Sequence, residues 1–109
     1  MTIKNVAYSL GTLNAPGPTV AQNLPFTVHK HTVQAVVTGA PATGSIQLEG
    51  TLDDVTGSPT WFNLSGAQPC TANTIFHVVD RPVSGIRVNL TALTGGTGPT
   101  VSIKYLGVQ

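Results

Sequence analysis

The chain has 109 residues, of which only nine are Lys, Arg, Asp or Glu, and its formal net charge is +1. A charged fraction of 8% is about a third of the ~25% usual in soluble domains, so much of the surface must be hydroxyl, amide and small apolar groups. Acid–base or metal catalysis needs ionisable side chains and nucleic-acid binding needs a basic field, so neither an enzyme nor a nucleic-acid partner is expected.

In chain order, the first 25 residues come as a short apolar alternation, Val6, Tyr8 and Leu10, followed by GTLNAPGPTVAQNLP. Pro16, Pro18 and Pro25 forbid central-strand pairing there. Residues 1–25 therefore read either as an edge strand with its loop or as an extended Pro-rich arm lying against a neighbouring subunit. In the second case Val6, Tyr8, Leu10 and Leu13 are partner contacts, and removal of residues 1–18 leaves a folded domain.

Residues 26–109 read as one all-β domain. Period-2 alternation predicts strands near 26–38, 44–53, 60–64, 73–80, 85–92 and 99–107. The 26–38 strand changes parity between Phe26 and Val28 on one side and Val33, Ala35 and Val37 on the other, which predicts a bulge near residues 30–32. In 44–53, Ile46, Leu48 and Leu52 share the inward face. Gly and Pro clusters at 40–44, 57–59, 81–85 and 95–99 punctuate the strands. Short strands between such turns predict an antiparallel β-sandwich of jelly-roll type.

Few groups offer chemistry. His29 and His31, at i and i+2 of a strand, share a face and could chelate a metal, but the sequence supplies no third ligand, so no metal and no cofactor are expected. Asp53 and Asp54 read as turn caps. Gly95, Gly96 and Gly98 lack the Lys and helix of a phosphate loop. Cys70 stands alone, so no internal disulfide is available. Trp61 and Phe62 point opposite ways on a strand, so at least one is expected in the core, and Trp61 is the candidate for partner or sugar contact. The N-terminus has no apolar run of signal-peptide type, and no stretch is long enough for a membrane span.

From Gly44 the chain reads QLEGTLDD, a loop, TWFNL, and then VSGIRVNLTALTGGTGPTVSIKYLG. Over residues 44–107, and most distinctively over 86–96, this resembles small β-sandwich virion proteins of tailed bacteriophages, of the capsid decoration or cement type. The resemblance implies a non-enzymatic protein on the outer capsid surface, made in the host cytoplasm. Its partner would be the major capsid protein, and it would form a homo-oligomer, dimer or trimer. The alternatives are a tail, neck or fibre-associated module of the same fold, or a carbohydrate-binding module for host attachment that uses Trp61.

Overall fold

The computed structural model describes residues 3–109. It contains β1 (Asn5–Leu13), β2 (Gly17–Pro18), β3 (Gln22–Thr38), β4 (Thr43–Thr51), β5 (Phe62–Asn63), β6 (Gln68–Pro69), β7 (Thr74–Thr94) and β8 (Thr100–Val108). All pairings are antiparallel, in the order β1-β8-β3-β7-β4-β5, with β2 added to β7 and β6 to β4. The long strands β3 and β7 hold the fold together, because they carry β8 and β1 on one side and β4 on the other. Inner residues of both groups, among them Leu10, Val33, Ile46, Leu90 and Ile103, meet in a single core cluster. This is the expected all-β sandwich.

The N-terminal segment is an edge strand. β1 pairs with β8 from Asn5↔Val108 to Leu13↔Val101, with one bulge between Ser9 and Gly11. That bulge turns Leu10 inward until it is only 1% exposed, in the chain's own core. Tyr8 and Leu13 pack partly against the same core, and Val6 is half-buried. The reading of Leu10 as a partner contact is thereby corrected. Farther on, Thr19 receives the Val88 amide on its hydroxyl at 3.0 Å and donates its own amide to the Val88 carbonyl at 2.8 Å. The proline-bearing stretch is thus tied down between strands.

Three other expectations need correction. Residues 73–80 and 85–92 belong to the single strand β7, which runs through Arg81 to Gly85 without a reversal. Its pairing with β3 skips from Val83↔Val28 to Val79↔Lys30, so Pro82 falls in the gap, where the ladder asks for no amide donor. Leu52 lies beyond the end of β4 and is 78% exposed, since the alternation stops at Thr51. The β3–β7 register shifts between Val28 and Lys30, just before the expected place and with the extra residues in β7, and there the inward parity of β3 passes from Val28 to His31.

Candidate functional site

His31 is buried at 1% exposure beneath the bend shared by β3 and β7. Its Nε2–H donates to the Arg81 carbonyl at 2.8 Å. Nδ1, left as the acceptor, takes the Tyr105 hydroxyl proton at 2.6 Å. Burial, the main influence, lowers the imidazole pKa from 6.5; the Arg81 hydrogen bond opposes this, and His29 adds slightly to it. The Tyr105 phenol is pushed upward, mainly by burial and secondarily by Tyr8. Gly107 makes room for the pair, because a Cβ there would stand 2.8 Å from the Tyr105 hydroxyl and 3.0 Å from Val28. Both His31 nitrogens are occupied and His29 is exposed, so the two imidazoles do not form a chelate. Among the described residues, no three His, Cys, Asp or Glu side chains come together as metal ligands. Cys70 is buried, which raises its thiol pKa. This centre is a structural tie between the two bends.

A second cluster lies across the β4–β7 ladder, where Glu49 faces Arg87. Arg87 Nε donates to Glu49 Oε1 at 2.6 Å, and Asn89 reaches Glu49 Oε2 at 3.5 Å. The guanidinium carbon also sits 4.4 Å from the centroid of the Trp61 ring. Trp61 is half-buried outside any strand, and Phe62 is 63% exposed on the short β5, so neither belongs to the buried core. The Arg87 stack covers one indole face and fastens the loop between β4 and β5 to the sheet. A sugar would have to displace that cation or use the other face. In the same loop, Asp53 accepts the Thr60 amide at 2.8 Å, while Asp54 accepts the Thr56 amide at 2.9 Å, the Thr56 hydroxyl at 2.7 Å and the Asn23 amide at 3.1 Å. These bonds, the Thr56 amide foremost, hold the Asp54 pKa down to about 2. Both acids cap the turn, as expected.

The third feature is a surface that only strand register could reveal. One outward row runs Ala7, Leu106, Thr32, His77, and the next runs Ser9, Lys104, Gln34, Ile75. Lys30 and Val79 continue the face toward the bend. Ile75 and Val79 are each 57% exposed, and shallow depressions of about 350 and 240 Å³ meet at Gln34 and Ile75. No carboxylate occurs in β1, β3, β8 or the Thr74–Val79 part of β7. The nearest along the chain is Asp80, at the bend. The face is flat, partly aliphatic and cationic where it is charged at all, which suits contact with another protein.

No protein-family model and no curated protein matches the chain. Solved structures do share its fold. The SPBc2 prophage-derived protein YomS aligns over 100% of this chain and 96% of its own, with a TM-score of 0.62 and 11% identity. The VP2 protein of the infectious bursal disease virus subviral particle aligns over 97% of this chain but only 32% of its own, with a TM-score of 0.58 and 10% identity. Chitosan-binding module 1, derived from a chitosanase/glucanase of Paenibacillus sp. IK-5, aligns over 96% of this chain and 75% of its own, with a TM-score of 0.51 and 18% identity. At these identities the likeness shows a common β architecture, one found in prophage, viral and carbohydrate-binding proteins.

Proposed function

We propose that this protein is a non-enzymatic structural component of a tailed-bacteriophage virion, and within that class a decoration or cement protein on the outer capsid surface. It binds between major capsid subunits and stabilises the expanded shell. The observation that carries this reading is the broad sheet face without carboxylates, which presents Ile75, Val79 and Leu106 to solvent alongside two lysines. A fold held in common with a prophage protein and a virus capsid protein supports it. The mechanism is thermodynamic. A protein that binds only the expanded lattice stabilises that lattice by mass action, and many copies multiply a modest contact energy.

Purified protein added to undecorated phage heads tests the reading. It is expected to co-sediment with expanded heads, to ignore unexpanded ones and to raise the temperature at which heads break open. Labelling confined to tails would instead make it a tail, neck or fibre module. Strong binding on a glycan array that disappears with Trp61→Ala would replace both with host attachment through carbohydrate, a reading the Arg87 stack on Trp61 disfavours.

A further inference from the structure

The cationic face has a counterpart in the loop after β4 of the same molecule. Asp53 and Asp54 lie in the loop after β4, next to Leu52, which at 78% is the most exposed large apolar side chain among those described. Arg87 and Glu49 neutralise one another. Lys30, Lys104, Asp53 and Asp54 take part in no ion pair among the described residues; the lysines stand on the face and these two aspartates in the loop, with Asp80 at the bend where the face ends. The loop is pinned beside Asn23, whose amide donates to Asp54 at 3.1 Å and whose carbonyl oxygen accepts the Val55 amide at 3.1 Å. Asn23 also accepts the Tyr8 hydroxyl at 3.3 Å, and Tyr8 points to the core side of β1, so the β1–β8 layer stands between the loop and the outward face around Lys104 of its own chain.

We propose that copies of this chain associate head to tail, the Leu52–Asp54 loop of one copy docking on the face around Lys104 and Ile75 of the next. Leu52 enters the depression between Ala7, Ile75 and Leu106, and the two carboxylates meet Lys104 and Lys30. Charge decides against the symmetric alternatives. Face on face would oppose Lys104 with no carboxylate near it, Asp80 lying only at the bend beyond Val79, and loop on loop would oppose aspartates. An asymmetric contact of this kind leaves one free face and one free loop at every stage, so it grows into a ring if the rotation closes and a row if it does not. The inference rests on reading the face as a protein-contact surface and is independent of any place on a virion.

Sedimentation velocity of the full chain, without phage particles, tests it. Across about two decades of concentration the average mass is expected to rise past that of a dimer in about 0.05 M salt, and to fall back in about 0.5 M, where screening is stronger. Lys104→Glu alone, and Leu52→Ser with Asp53→Asn, are each expected to weaken association at least about tenfold, with circular dichroism and melting unchanged. Mixed, these two variants should form a one-to-one pair and nothing larger, because only one intact loop and one intact face remain. A wild-type chain that stays monomeric, one that stops at a dimer, or a Lys104→Glu variant that associates like wild type would each overturn the proposal. Loss of head binding by Lys104→Glu, in a chain that never self-associates, would also overturn it while leaving the face as a contact surface for the capsid.

Discussion

The two halves of this sandwich treat charged groups in opposite ways. On the side of β4 and the C-terminal part of β7, polar groups are joined to one another: Glu49 to Arg87, Arg87 to Trp61, and Asp54 to Thr56 and Asn23. On the side of β1, β8, β3 and the N-terminal part of β7, the core closes around the His31–Tyr105 pair, while the outer face keeps Lys104, Ile75 and Leu106 free of any such partner. One half is finished within the monomer. The other is complete underneath and open above. This separation supports reading the face, where the side chains do least for the fold, as the contact surface, and it gives each half a distinct response to mutation.

The largest effect is expected where β1 closes the core. Deleting residues 1–13 removes β1 from the outer edge of β8 and uncovers the site of Leu10. Leu10→Ala alone should cost about 2–5 kcal/mol, a large part of the ~5–15 kcal/mol that holds a domain together. The truncated chain is therefore expected to lack a cooperative melting transition. A truncation that melts like the full protein would restore the segment to an arm. Sequence reasoning left this open because the Pro spacing of residues 16–25 forbids central strands and fits an edge as well as an arm. Only the pairing with β8, some ninety residues away as the Thr12–Ser102 hydroxyl contact spans it, decides between them.

Next comes the buried tie. Tyr105→Phe leaves His31 Nδ1 without a donor inside the core and should cost about 1–3 kcal/mol in urea unfolding. The same pair predicts a pH response. Burial holds the folded His31 below its ordinary 6.5, so in the window beneath 6.5 the unfolded chain binds more protons than the folded one. The contribution of His31 to stability is complete above pH 6.5 and is lost as pH falls through that window. Unfolding curves at successive pH values should show this decline, and a flat profile would mean the imidazole is not held neutral. The alternation of β3 made a parity slip legible, but a bulge displaced by one or two residues decides which histidine is inside. The sequence therefore put His29 and His31 on one face, where the structure has one core tie and one exposed imidazole.

In the other half, Trp61→Ala should cost about 0.5–2 kcal/mol, the range of an aromatic–cation contact with partial burial, and should loosen the loop after β4. A core indole would cost about 3–5 kcal/mol. A loss of that size would return Trp61 to the core. The aromatic pair was visible in the sequence as a rarity, yet β5 pairs only at Phe62 and Asn63. Strand alternation was a poor guide for residues 60–64, where local loop geometry sets the directions of both rings. Ile46, Leu48, Val88, Leu90, Val101 and Ile103, by contrast, lie inward as alternation places them, because their strands are paired on both sides.

The smallest expected effect is the most direct check on the contrast between the halves. Ile75→Ser and Val79→Thr replace apolar side chains, but each original is already 57% exposed, so their removal takes little from the monomer. Surface substitutions away from caps, cores and networks usually change stability by less than about 0.5 kcal/mol, and both variants should fall in that range by thermal or urea unfolding. β-propensity works in the same direction for Val79, since threonine keeps the branched Cβ that suits a strand. A cost near that of Leu10→Ala would mean that the face is packed in the monomer, and its exposed aliphatic groups would lose their standing as a contact surface. Unchanged stability together with weakened association would separate the two jobs cleanly: Leu10 and Tyr105 make the domain, while Ile75, Leu106 and Lys104 serve what the domain touches. The composition alone showed few charges. It took the register of four strands to show that those on this face have one sign.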